Sequence, residues 1–285
     1  MKFGIIGPGS MAMTWEHHLR NTMGVQEVVI APRVDMLQHV DAVIIPGNSE
    51  DSEKHIHLLK DALRRGYHVL WVAPPPTDPE SIRSCLSIAT ESGAIVMFAM
   101  WSYYSPATQW LFNHIPSPTK IHIHREWSGP QHTPDTLTLN RIFLEEISLC
   151  LEWCGSEPVH IEGDLPPTNR PDGNRPEMRQ LHLRFGNDAS ATLFMNPYGL
   201  ENRHSRFIKG KKMAAVCQIN NHIIKKWFLD GEQQKTPQVM RFGYREPAQH
   251  LLSHFTRSIR SAEKPAFGIT ELDHLMSQLH RFPKP

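Results

Sequence analysis

Residues 2–101 repeat one unit: a short apolar run, then in most cases an amphipathic stretch of helical length. The apolar runs are "KFGIIG", "QEVVIAPR", "VDAVIIPG", "YHVLWVAP" and "AIVMFAMW", and the helical stretches are "SMAMTWEHHLRNTM", "SEKHIHLLKDALRRG" and "DPESIRSCLSIATESG". Short apolar runs bounded by Gly and Pro suit strands buried on both faces, and strands alternating with helices imply crossovers between parallel neighbours. The pattern therefore predicts a doubly wound parallel sheet. Its first helix begins at Ser10, Gly66 ends the helix before the fourth strand, and Asp78 caps the next helix. One crossover is short: only seven residues separate Arg33 from Asp41, too few for a helix and a strand lead-in.

The rhythm changes near residue 118. "KIHIHREW" alternates as a half-exposed strand does, a helix follows over about 137–154, and "VHIEGD", "MRQLHLRFG", "SATLFMNPY", "RHSRFIKGKK", "AAVCQIN" and "IIKKWFLDGE" read as further strands. The helix "EPAQHLLSHFTRSIRSAE" and a shorter one after Ile269 close the chain. The expected architecture is α/β, with a dinucleotide-binding domain over 1–117 and an α+β domain with a mainly antiparallel, open sheet over 118–285. The segment "DLPPTNRPDGNRPEMR", with four prolines, reads as a surface loop.

Composition removes several classes of function. Thirty basic and 29 acidic residues leave a net charge of +1, which supplies no field for a nucleic acid or an anionic membrane. No apolar run reaches the ~20 residues of a membrane span, and Gly7, Pro8 and Gly9 break the opening run as no secretory leader is broken. Cys85, Cys150, Cys154 and Cys217 show no Cys-x-x-Cys spacing, so reduced thiols and a cytoplasmic location are expected. Cys150 with Cys154, and His122 with His124, have spacings that a metal could use. Without a third ligand in sight they read as core thiols and a polar sheet face, and no metal is expected. The eighteen histidines read as solvated surface residues rather than a pH sensor.

Gly7-Pro8-Gly9-Ser10-Met11-Ala12 fits Gly-x-Gly-x-x-Gly/Ala between a strand and a helix. The first glycine permits a tight turn, the second lets a pyrophosphate approach the backbone, and the small third residue lets helix and strand pack. Gly7, Gly9, Ser10 and Met11 are therefore the expected diphosphate-facing turn of a Rossmann-type domain. The second strand ends Ala31-Pro32-Arg33. Arg33 favours a 2′-phosphate, hence NADP over NAD; the alternative reading is that the shortened crossover holds adenine poorly.

The order of elements resembles the glucose–fructose oxidoreductase/inositol dehydrogenase/MocA-type family over nearly the whole chain. "DAVIIPGNSEDSEKHIHLLKDALRRGYHVLWVAP" is similar to that family's Pro-Asn turn, histidine-led helix and Gly-Lys-His-Val…Glu-Lys-Pro strand, with Pro46, Asn48, His55, Gly66, His68, Val69 and Pro74 at matching places. "ESGAIVMFAMWSYYSPA" keeps Ser105-Pro106, and "CGSEPVHIEG" and "HFTRSIRSAEKP" match later helices. The resemblance implies NAD(P) chemistry on a small polar substrate, with Pro46, Asn48, His55 and Pro74 bordering the cofactor. It also implies a homodimer formed through the open sheet.

The departures fall on the chemistry. Val72-Ala73-Pro74 replaces Glu-Lys-Pro, so the family's lysine is absent, and Ile142 and Glu146 stand where an Asp and a His are common. Tyr103 and Tyr104, in a turn that faces the active cleft in the family, and Glu146 are then the candidate proton donors. Glu145 and Glu146 read more readily as a capping or solvated pair near a helix start than as catalytic groups. Two functions stay open: an NAD(P)-dependent oxidoreductase with an atypical acid/base set, or a non-catalytic partner subunit, scaffold or nucleotide sensor.

Overall fold

A computed structural model describes residues 1–7, 9–47, 52–76, 78–129, 131–164, 176–229, 236–243 and 246–281. Most of the proline-rich stretch, 165–175, lies outside the described residues. The chain forms two compact units, Met1–Trp101 with Glu246–Ser277, and Ser102–Arg245 with Gln278–Pro285.

The first unit runs β1 (Lys2–Ile6), α1 (Gly9–Arg20), β2 (Glu27–Ala31), β3 (Ala42–Ile45), α2 (Ser52–Arg64), β4 (His68–Trp71), α3 (Pro79–Ser92) and β5 (Val96–Phe98). All four pairings among the described strands are parallel, in the order β2-β1-β3-β4-β5. β3 is buried at every position, as a strand covered on both faces must be. The expected punctuation is present. Asp78 caps α3 by accepting from the Ser81 amide at 2.8 Å, and Gly66 takes a φ of 76°, which only glycine adopts without cost. The short crossover from β2 to β3 is a single 3₁₀ turn, Val34–Met36. Leu37, 1% exposed, packs against Gly4 so closely that a side chain on Gly4 would collide with it.

The second unit contains α4 (Pro106–His114), β6 (Lys120–Glu126), α5 (Thr136–Cys154), β7 (Pro158–Gly163), β8 (Arg179–Phe185), β9 (Ser190–Asn196), β10 (Arg203–Lys209), β11 (Met213–Gln218), β12 (Ile223–Phe228) and β13 (Gln238–Arg241). The strands form an eight-stranded sheet, β13-β12-β11-β10-β6-β9-β8-β7. It is antiparallel except where β6 runs parallel to β9. One face carries Ile208, Ile121, Ala191 and Leu183 in register, all buried. α5 is buried over most of its circumference, capped by Asp135 at its start and ended by Gly155 in the left-handed conformation.

The boundary expected at 117/118 is corrected in two ways. The division falls after Trp101, which places α4 in the second unit, and the chain then returns to the first unit as α6 (Pro247–Ser261) and most of α7 (Ile269–Arg281). The return has a packing cause. Phe255 of α6, fully buried, meets Phe3 of β1 edge to face at 6.2 Å, and the segment before α7 closes the β5 edge, where Phe98 donates to the Phe267 carbonyl at 2.9 Å.

Candidate functional site

In an open parallel sheet, ligands bind outside the carboxyl ends of the strands, where neighbouring strands send their connections in opposite directions. Here that point lies between β1, whose chain turns off toward β2, and β3, which leads on to β4. Gly7 leaves β1 and Pro46 leaves β3. A Cβ built on Gly7 would stand 3.1 Å from the Pro46 ring, so the two turns touch and a side chain there would press on that ring. A Cβ built on Gly9 would meet nothing within 4 Å. The backbone at the start of α1 is therefore open to approach, as a pyrophosphate cradle requires. Ser10 and half-buried Met11 lie in the first turn of α1.

The other expected cofactor residues are placed less uniformly. Arg33 is 72% exposed in its side chain and forks onto Asp35, at 3.0 Å from Nε to Oδ1 and 2.6 Å from Nη2 to Oδ2. His55 is buried on α2. Half-buried Pro74 accepts a hydrogen bond from Trp71 Nε1 at 3.2 Å. Asn48 lies outside the described residues. Ala73, at the place of the family's lysine, is 1% exposed. It lies directly against Gly47, where any added Cβ would overlap its backbone. The place the lysine would leave from is closed.

The three candidate proton donors belong to the second unit, where Tyr103 and Tyr104 lie against each other and Glu146 is engaged by Arg206, His204 and Arg125. Tyr103 and Tyr104 meet edge to face at 5.0 Å, and Tyr103 Oη lies 3.3 Å from Glu152 Oε1. Burial first, and then Glu152, push the Tyr103 hydroxyl up to about 12. Burial raises Tyr104 as well. Both stay protonated at neutral pH.

Glu146 has other company. It is fully buried in the middle of α5, and both its oxygens accept from Arg206 Nη2, at 2.9 and 2.8 Å. His204 Nε2 lies 3.0 Å and Arg125 Nη1 3.5 Å from Oε1. Burial opposes its ionisation, but Arg206, His204 and Arg125 together hold it well below the usual carboxylate range. A carboxylate held without its proton has none to donate. Nor is it a cap or a solvated residue. Next to it Glu145, also buried, accepts from the Ser102 amide and from Ser102 Oγ at 2.8 Å, and pairs with Arg141 at 3.6 Å. Arg206, His204, Arg125, Asp35 and Gly47 were not singled out by sequence reasoning. A signal for two of them was present in "RHSRFIK", where His204 and Arg206 fall on the inward side with Ile208; an inward arginine requires an inward acid.

Burial pushes all four thiols up, Cys85 to about 11 and Cys154 and Cys217 to about 12, and all four cysteines are buried and free. Among the described residues no group of three or more His, Cys, Asp or Glu is placed to hold a metal, and no helix is long and apolar enough to cross a membrane.

This fold, a Rossmann-like parallel sheet and a mixed, largely antiparallel eight-stranded sheet, is similar to that of solved structures of dehydrogenases and a reductase. Three solved structures share it over almost their full length. UDP-N-acetylglucosamine 3-dehydrogenase GnnA from Acidithiobacillus ferrooxidans is 18% identical with a TM-score of 0.79, covering 98% of this chain and 96% of that chain. The dehydrogenase MviM from Clostridium difficile is 15% identical with a TM-score of 0.81, covering 99% and 98%. Biliverdin reductase from Synechocystis, solved with biliverdin and NADP+, is 12% identical with a TM-score of 0.74, covering 98% and 96%. At these identities the likeness shows the fold. No protein-family model and no curated protein matches the sequence.

Proposed function

We propose that this chain is an NAD(P)-dependent oxidoreductase of the glucose–fructose oxidoreductase/inositol dehydrogenase/MocA type, acting on a small polar substrate such as a sugar, cyclitol or amino-acid derivative. The observation that carries the reading is the switch-point turn, where Gly7 is fitted against Pro46 and the space over Gly9 is open. That turn suits a pyrophosphate, held by backbone amides at the start of α1. The dinucleotide, when bound, supplies or takes the hydride. Arg33 supports NADP. Its pair with Asp35 is a surface pair worth ~1 kcal/mol or less, so exchanging that carboxylate for a 2′-phosphate costs little. With Glu146 held ionised and Ala73 unable to donate, Tyr103 is the proposed proton donor. Its raised pKa makes it a weak one.

The closed position at Ala73 and the locked Glu146 favour a second reading, a dinucleotide-binding partner subunit or sensor without turnover. Fluorescence titration with NADH and NADPH comes first, and absence of binding by either sinks both readings. A carbonyl and polyol screen following NAD(P)H then separates them. On any hit, Tyr103→Phe should lower turnover about 10²–10⁴-fold with little change in cofactor affinity. Tight NADPH binding with no substrate leaves the sensor. Assembly as a homodimer belongs to the same proposal. The sheet face opposite α5 carries half-buried Phe194, Phe207 and Val216 beside His122 and His124, a surface suited to a second copy. Light scattering giving a monomer at micromolar concentration would refute that assembly.

A further inference from the structure

The ion pairs around the middle of α5 do not match one to one. Among the described residues three guanidinium groups (Arg125, Arg141 and Arg206) share two carboxylates (Glu145 and Glu146) there, apart from buried Arg179, whose Cζ lies 5.6 Å from the Phe143 ring centroid. His204 adds no charge, because burial and Arg125 push it down to about 3. Arg206 takes the best of what is available: Nη2 binds both oxygens of Glu146, and Nη1 donates to Thr108 Oγ1.

Arg125 and Arg141 are left with second place. Arg125 Nη1 is 3.5 Å from a Glu146 oxygen that already accepts from Arg206. Arg141 Nη1 is 3.6 Å from Glu145 Oε2, beyond hydrogen-bond reach, and is itself buried without a hydrogen-bond partner. Yet the two side chains are only 20% and 18% exposed. Arginine does not shed its proton in a protein. Burial weakens the charged form of Arg125 more than Glu146 and Glu145 restore it, and Arg206 and Arg141 add to the repulsion. A half-paired, half-buried cation of this kind is costly unless an anion completes it. The Trp127 ring stands beside Arg125, 5.1 Å from Cζ to centroid, and gives the place an aromatic wall.

We propose that Arg125 and Arg141 form an anion subsite in the second unit, which takes the carboxylate or phosphate group of a small metabolite. Two forked guanidinium groups with most donors unused match paired oxygens of either group, and such bonds are charge-assisted. For an oxidoreductase this makes the substrate an acidic small molecule rather than a neutral sugar. Calling the ligand a substrate rests on the reading given under Proposed function, whereas the anion site stands without it.

The test uses the full chain without dinucleotide, titrated at pH 7 with inorganic phosphate and separately with malonate by calorimetry, with sodium chloride at matched ionic strength as control. The expected result is saturable binding of at least one anion, and Arg141→Gln and Arg125→Gln should each weaken it about tenfold or more. Preference for phosphate over malonate, or the reverse, identifies which group the site is built for. The glycine turn also attracts phosphate, so Gly9→Val serves as a second control and should leave this binding intact. Should Arg125→Gln fail to fold, the wild type and Arg141→Gln decide alone. No saturable binding of either anion overturns the proposal, as does binding indifferent to the arginine substitutions. NADH and NADPH titration of the same samples keeps the two readings apart: anion binding without binding of either dinucleotide removes the oxidoreductase and leaves the subsite, and the opposite result removes only the subsite.

Discussion

Replacing Glu146 by Gln tests whether this residue works as a structural counter-ion or as an acid. The side chain keeps its shape but loses its charge, and its NH2 replaces one of the two oxygens that accept from Arg206 Nη2, at 2.9 and 2.8 Å, with a donor. Arg206 is fully buried, so it can neither reach water nor turn away. Breaking a buried pair from one side typically costs about 3–5 kcal/mol, because the stranded charge keeps its desolvation penalty. For a unit of about 150 residues this corresponds to a fall in melting temperature of roughly 6–20 °C. Thermal and guanidinium denaturation followed by circular dichroism would measure it. The double variant Glu146→Gln/Arg206→Met removes the stranded charge and should recover more than half of the loss, since apolar replacement of a whole buried pair is often neutral. A single variant that loses under about 1 kcal/mol, less than a typical cost for a stranded buried charge, would refute the account.

Three further outcomes are expected. Gly9→Val should leave stability within about 1 kcal/mol, because its side chain enters open space, while dinucleotide affinity by fluorescence falls strongly. Ala73→Lys should cost about 1–3 kcal/mol by thermal denaturation, since it overfills a position 1% exposed and packed on Gly47; it should create no turnover. Stability should fall as pH drops from 6.5 toward 3, because the unfolded chain protonates His204 near 6.5 and the folded chain only at about 3. That amounts to about 2 kcal/mol by pH 5. His68, His122 and His254, each lowered mainly by burial, act in the same direction, and Glu146 adds its loss only below 4.5. Denaturation at several pH values should show a flatter curve between 5 and 6.5 for His204→Gln.

The features legible in the sequence were those set by nearby residues. The strand–helix alternation, the Asp78 cap and the left-handed Gly66 depend on contacts within a few positions, and each is present. What stayed hidden depends on distant parts of the chain. Glu146 meets Arg206 and His204 only because β10 lies antiparallel to β6 with His204 opposite Arg125. Arg33 read as a free cation at a strand end because the 3₁₀ turn that brings Asp35 round to it spans only three residues. The return of α6 to the first unit rests on an amphipathic face whose partner, Phe3, lies some 250 positions away.

The two rims of the parallel sheet are finished differently. Beside β5 the chain itself forms a seal, with Phe98 bonded to Phe267 and Met97 bridged to Gly268. Among the described residues β2 is paired on one side only, with β1. It is succeeded by a 3₁₀ turn instead of a helix, and its Ile30 is 41% exposed. Local opening begins where few buried contacts hold a segment. In deuterated water the outward amides of β2 should therefore exchange ahead of every other strand in that sheet, through fraying of one rim while the remaining four strands keep their protons.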